Sequence, residues 1–210
     1  NISIISKKLI AKDTWEIAFQ CLEVEPPNIE AGQYMRIVVP EIPGGTRENS
    51  RIFSVILPPM FRALVSKHWG VVFRASESAF KKYIIGAPVG SEMVAYGPFG
   101  DFVLPQCLEV EPPNIVFIAG GVGIAPFVSM VRLATEEKLS HRILLLYANK
   151  DEQGAAYLEE LMTLERENIN FTLRHNIGLL DAEFIGNNIV NWTSDASCYL
   201  PDVIYYIAGP

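Results

Sequence analysis

Two different periodicities divide the 210 residues of this chain. From Ile2 to about Leu104, apolar and polar positions change over short runs. Trp15-Glu-Ile-Ala-Phe19 alternates, and Tyr34 to Val39, Gly70 to Arg74 and Glu92 to Tyr96 are rich in β-branched and aromatic residues. Such runs predict short antiparallel strands, because side chains two apart on a strand share a face. Pro26-Pro27, Pro43-Gly44-Gly45, Pro58-Pro59 and Pro88-Val-Gly-Ser91 mark the turns between them. One helix is expected inside this half, near Ala79 to Ile84. The texture is that of a β-barrel.

After Pro112-Pro113 the pattern becomes strand, helix, strand, helix. Ile143-Leu-Leu-Leu-Tyr147 is continuously apolar, as a parallel strand covered on both faces should be. Tyr157, Leu158, Leu161 and Leu164 give a helix face, Phe171-Thr-Leu173 another strand, and Val203-Ile-Tyr-Tyr-Ile207 a last one. This half reads as α/β. The boundary is placed between Pro105 and Asn114, giving domains 1–108 and 109–210.

Within the second half, Ile115-Val-Phe-Ile-Ala-Gly-Gly-Val-Gly-Ile-Ala-Pro126 runs from a β-rich stretch through glycines into a helical pattern. Phe127, Met130, Val131 and Ala134 then recur on one helical face, and Pro126 suits the first turn. Glycines at such a junction let an anion approach N–H groups that a helix start leaves unpaired, so Gly120, Gly121, Val122, Gly123, Ala125 and Pro126 form a candidate pyrophosphate site. The same glycines also suit close strand–helix packing, and both readings stand on the sequence. The spacing G-G-x-G-x-A-P is neither the dinucleotide fingerprint G-x-G-x-x-G nor a P-loop.

Charge and cysteine content narrow the partners. A net charge of −7 with only two basic doublets, Lys7-Lys8 and Lys81-Lys82, argues against a nucleic-acid or anionic-membrane surface. Both doublets read as solvated edges. Cys21, Cys107 and Cys198 are scattered, which suggests neither a disulfide framework nor a metal or iron–sulfur site and fits a cytoplasmic protein. The one long apolar stretch, Ile115 to Val131, carries glycines and a proline and is read as a buried strand and helix, so no membrane span is expected. The doublets Glu136-Glu137 and Glu159-Glu160 are read as solvated helix charge, and no nucleophile elbow or zinc-protease motif is present.

In the β half, Asn49-Ser-Arg-Ile-Phe-Ser54 brings a guanidinium, an aromatic ring and a hydroxyl together. Arg51 and Phe53 would share a strand face, as phosphate partner and stacking surface for a flavin, and Ser54 would donate to a ring nitrogen if the strand ends there. An ordinary amphipathic strand has the same letters. Farther on, Arg74-Ala-Ser-Glu-Ser-Ala-Phe-Lys81 enters the expected helix through small and hydroxyl residues, either as a phosphate site or as a simple cap by Ser76 or Ser78. Tyr96-Gly-Pro-Phe-Gly-Asp101 reads as a tight turn where the barrel closes.

Taken in order, these motifs resemble the ferredoxin-NADP reductase superfamily across nearly the whole chain. The resemblance assigns Arg51, Phe53 and Ser54 to an R-x-[YF]-S flavin motif, followed by Val55, whose apolar neighbours leave ring hydrogen bonds to backbone groups. It assigns Ser76, Ser78, Ala79 and Phe80 to the flavin phosphates, Gly97, Pro98 and Gly100 to a G-P-x-G element, and the glycine turn to the nicotinamide nucleotide. Asn149 and Lys150 fall near its adenosine end, and Ala208, Gly209 and Pro210 stand where the family has C-G-P beside the nicotinamide. Gly32-Gln33-Tyr34 resembles the family element before the flavin strand.

The resemblance implies an N-terminal antiparallel Greek-key β-barrel binding FAD, then a Rossmann-like parallel-sheet domain binding NADH or NADPH. It also implies hydride transfer to the flavin and electron delivery to a separate acceptor: a ferredoxin, a haem protein, an oxygenase component or a small molecule. Ser54 would act at the flavin as hydrogen-bond partner of N5. The alternatives are an electron-transfer subunit of a larger complex and a flavin-free nucleotide-binding interaction module. Family members normally continue beyond the position of Pro210, so the chain is expected to be incomplete at its end.

Overall fold

The computed structural model describes residues 1–40, 42, 49–58, 67–106, 113–194 and 203–209. Its contacts fall into two compact units, Asn1–Val103 and Leu104–Pro210. The expected junction at 108/109 lies outside the described residues, as do Cys107, Cys198 and Pro210.

The first unit is a closed antiparallel barrel. Its strands are β1 (Ile2–Ala11), β2 (Thr14–Cys21), β3 (Tyr34–Val38), β4 (Ser50–Ile56), β5 (His68–Arg74) and β6 (Glu92–Phe99), arranged β1-β2-β5-β4-β3-β6. With β6 returning beside β3 of the run β3-β4-β5, the order is a Greek key. Closure between β6 and β1 rests on the pairs Ile2↔Met93 and Ser3↔Glu92, flanked by bonds from Ile4 N to Ser91 O and Gly90 N to Ile4 O. Ile4, Ile17, Phe19, Ile37, Val55 and Val71 fill the interior without exposure. Helix α1 (Ala79–Gly86) adds Phe80 and Ile84 to that core.

Two expectations change here. Ser54 is not at a strand end, since β4 continues to Ile56. Gly97 and Pro98 do not form a turn either; they lie within β6, and only Gly100, at φ +97°, follows it. The strand tolerates them because the β3–β6 register slips between Tyr34 and Arg36, so the ladder is already irregular there. A side chain at Gly97 would also meet the Met35 sulfur and the Tyr34 carbonyl.

The second unit is a parallel sheet in the order β10-β7-β8-β9, from β7 (Asn114–Gly120), β8 (Arg142–Asn149), β9 (Phe171–Ile177) and β10 (Val203–Ala208). Helices α2 (Ala125–Glu136), α3 (Leu158–Glu167) and α4 (Ala182–Ser194) complete it. On one face, Val116, Leu144, Leu146 and Val203 pack with Ile189 and Trp192 of α4. On the other, Phe117 stacks on Phe127 of α2 with ring centroids 4.5 Å apart. Helix α2 is buried nearly all round from Ala125 to Arg132, where a single apolar face was expected.

One charge assignment fails in the same layer. Glu160 is only partly solvated; it accepts two bonds, at 2.6 and 2.9 Å, from Arg132, whose side chain is 9% exposed and whose guanidinium lies over the Tyr157 ring. A bidentate fork of this kind satisfies both partners and fastens α3 to α2. Among the described residues no helix is long and apolar enough to cross a membrane.

Candidate cofactor sites

In the barrel unit, strand alternation places Arg51 and Phe53 on one face of β4, and Ser54 on the other with the exposed Ile52. Arg51 donates to Ser50 O at 2.7 Å and to Ser78 Oγ at 3.3 Å, and its guanidinium lies 5.9 Å from the centre of the Phe80 ring. The half-buried Phe53 ring is held by Phe73 and Phe80, at 5.5 and 5.8 Å. Val55 is fully buried, and its backbone N–H donates to Gln33 O.

Ser78 occupies the cap position of α1 without capping it through its side chain. Its hydroxyl accepts from Arg51 instead, while Ser76 Oγ accepts from the Ser78 N–H at 3.4 Å. The first-turn N–H groups of α1, at Ala79 and Phe80, therefore keep their electropositive character beside a guanidinium. Sequence reading missed a second cation there. Lys81 is partly exposed but also engaged: it donates to Arg74 O at 2.8 Å and lies over the Phe73 ring. Burial lowers its pKa, and repulsion by Arg51 lowers it further. Two like charges held together favour an anion between them. The signal in the sequence was the position of Lys81, three residues after Ser78.

In the second unit, Gly120 ends β7, Gly121–Ile124 form a short 3₁₀ turn and α2 starts at Ala125, with Pro126 in its first turn. No side chain caps the 3₁₀ turn or α2. Gly121 has φ +53°, a conformation that branched residues avoid. Gly123 serves another purpose: a Cβ there would run into the Ala208 carbonyl and stand 2.7 Å from Gly209 N. The packing reading therefore holds at Gly123, while Gly121 supplies the left-handed turn before it. The sheet order reverses direction between β7 and β10, and crevices outside the carboxyl ends of strands at such a point receive ligands in open α/β sheets. Gly120, Ala208 and Gly209 lie at that place.

Asn149 ends β8 and is buried, with Lys150 exposed beside it. Arg174 donates to Leu173 O and lies 3.7 Å from Glu165. His141, solitary in sequence, is 1% exposed and its Nε2 donates to Pro105 O at 2.9 Å; burial lowers its pKa.

The family description for an oxidoreductase NAD-binding domain matches residues 117–183, the stretch from mid-β7 into α4. The chain is 33% identical over 153 residues to the reductase subunit of an aromatic O-demethylase from Amycolatopsis, covering 72% of this chain and 42% of that protein. It is 30% identical over 162 residues to the reductase component of propane 2-monooxygenase from Rhodococcus jostii, covering 74% and 40%. The chain is similar to reductases of the ferredoxin-NADP reductase superfamily. The superfamily fold extends through the whole chain: an Amycolatopsis cytochrome P450 reductase superposes with a TM-score of 0.74 at 23% identity over 98% of this chain and 60% of its own. The cytochrome b5 reductase domain of Ulva prolifera nitrate reductase does so with 0.74 at 20% identity, over 100% and 86%. The chain spans less than half the length of those two curated relatives.

Proposed function

We propose that this chain is the flavin- and nicotinamide-binding part of a reductase that accepts a hydride from NADH or NADPH on bound FAD and passes electrons to a separate acceptor. The observation that carries the reading is the bond from Arg51 to Ser78, which joins two motifs 27 residues apart at the uncapped start of α1. A guanidinium, Lys81 and free first-turn N–H groups fit the phosphates of a flavin nucleotide.

On this reading Arg51, Ser76, Ser78 and the backbone of Ala79 and Phe80 hold the phosphates. Phe53 lies against the ring system, Ser54 donates to N5, and Val55 offers its backbone carbonyl. Gly120, Gly121, Val122, Gly123, Ala125 and Pro126 receive the nucleotide pyrophosphate, Asn149 and Lys150 its adenosine end, and Ala208, Gly209 and Pro210 the nicotinamide. FAD supplies the conversion of a two-electron hydride into single electrons. The protein needs no acid–base pair for that transfer; its residues set position and electrostatics. The names of the two curated relatives, a reductase component and a reductase subunit, support a protein acceptor such as an oxygenase component. The buried free Cys21 supports a cytoplasmic location.

The test is the absorption spectrum of the purified chain, followed by anaerobic titration with NADH and NADPH. Flavin bands that bleach with either nucleotide are the expected result. A folded, colourless protein that neither FAD nor FMN reconstitutes would overturn the proposal. A diaphorase assay with an artificial acceptor separates a self-sufficient reductase from a subunit that turns over only with its partner.

A further inference from the structure

The carboxyl end of β8 holds an unsatisfied buried group. Asn149 is 3% exposed, its Nδ2 lies 3.2 Å from His175 Nε2, and its Oδ1 has no hydrogen-bond partner. Arg142 Nη1 is similarly unpaired, but it belongs to the opposite end of β8, in a guanidinium that already donates to Trp192 O and stacks on that ring. The Asn149 oxygen is different, because it lies at the edge of the sheet where the reading above places the nucleotide. Buried polar atoms are normally paired, and an exception at such an edge points to a ligand.

The pairing also fixes a chemical sense. For the amide N–H to be donated, His175 Nε2 must be unprotonated, which makes the ring neutral with its proton on Nδ1. Burial lowers the pKa of His175 and favours that form, while the negative charge of Glu152 acts in the opposite direction and less strongly. With the amide held this way, the buried atom that Asn149 leaves unpaired is an acceptor. A ribose hydroxyl or an adenine amino group can donate to it; a 2′-phosphate brings only oxygen acceptors and meets repulsion.

We propose that His175 is a positioning residue that orients the Asn149 amide and thereby selects NADH over NADPH. The inference rests on the nucleotide reading of this sheet edge. Protonation reverses its sense. A charged His175 donates from Nε2, the amide turns to present Oδ1 to it, and Nδ2 then faces the ligand as a donor. The surroundings permit this switch: Asn149 and the Tyr147 ring, 5.5 Å away, face His175 from β8, and Glu152 acts from the turn that follows. Arg174, next in β9, leaves the strand on the opposite face, and its guanidinium lies 3.7 Å from Glu165 of α3. Acid should therefore erode the preference for NADH.

The test measures dissociation constants of AMP and 2′-phospho-AMP for the flavin-loaded chain between pH 8 and pH 5.5, with flavin reduction by NADH and NADPH in parallel. Wild type should favour AMP by about tenfold at high pH, the effect of one hydrogen bond, and lose most of that ratio in acid. His175→Phe should show little discrimination at any pH. His175→Gln, whose side-chain oxygen can still accept from Asn149, should restore the high-pH ratio without the imidazole titration. The 2′-phosphate titrates in every variant alike, so the difference between wild type and His175→Gln isolates His175. A ratio that varies identically with pH in both, or persists in His175→Phe, overturns the inference while leaving the nucleotide site intact. Failure of every nucleotide to bind or to reduce the flavin overturns the nucleotide reading and the inference with it. If His175→Phe does not fold, the comparison of wild type with His175→Gln decides.

Discussion

Gly123 and Ala208 approach so closely that a Cβ on the glycine would stand 2.5 Å from the Ala208 carbonyl carbon. The fit is mutual, since a Cβ on Gly209 would stand 3.2 Å from Gly120 N. The ends of β7 and β10 are locked by glycine backbone on both sides. The first prediction follows. Gly123→Ala should lower the urea midpoint of the second unit by about 1–3 kcal/mol of stability, because the methyl group meets backbone that cannot turn aside. An unchanged midpoint would show that β10 shifts freely.

Gly121 fails differently. At φ +53° a valine is disfavoured by roughly 1–2 kcal/mol and projects where backbone should meet the pyrophosphate. Gly121→Val is expected to keep its flavin and its reduction by dithionite, while stopped-flow reduction by subsaturating NADH and NADPH slows strongly. Wild-type rates with both nucleotides would leave this turn a packing device and move the hydride donor elsewhere.

Arg51→Ala should weaken flavin affinity tenfold to a hundredfold, since a hydrogen bond from a charged group contributes about 1.5–3 kcal/mol. Lys81→Ala should act in the same direction and less strongly, because its ammonium is partly committed to Arg74 O. Equilibrium flavin binding to the stripped protein measures both, and equal affinity in Arg51→Ala would remove that residue from the site.

Acid should destabilise the α/β unit through His141. Its folded pKa lies below the ordinary value of 6.5, so the stability gained by keeping it neutral is complete above that pH. That stability is lost as pH falls through the lowered folded value, with a slope of at most about 1.4 kcal/mol per pH unit for one group. His175 contributes with the same sign. His141→Gln, which retains a donor for Pro105 O, should flatten the decline of the urea midpoint between pH 7 and 5. Parallel curves for the two proteins would contradict the assignment.

The strands from Trp15 to Tyr96 and the change to α/β order were legible because alternation and continuous apolar runs are direct records of one-sided and two-sided burial. Helix α4 was not recognised. Its residues Phe184, Ile185, Ile189 and Trp192 pack on the sheet, but Gly186 and three asparagines interrupt the pattern. Isolated residues were harder still. Glu160 and Lys81 each stood in a doublet of like charge, and nothing local distinguishes a side chain that reaches a distant partner from one that meets water. The Asn149–His175 contact spans 26 residues and depends on strand register, which spacing alone does not supply.

The barrel has a seam. Closing a sheet removes the free edges by which strands recruit other chains, and here that protection is thin between β1 and β6, where two register pairs and two flanking turn bonds complete the circle. β1 is held far more extensively by β2, from Ile2↔Cys21 to Ala11↔Thr14. Local breathing at this seam therefore separates β1 and β2 together from β6. Amide deuterium should enter at Ile2 to Ile4 and Glu92 to Met93 well before the β2–β5 ladder.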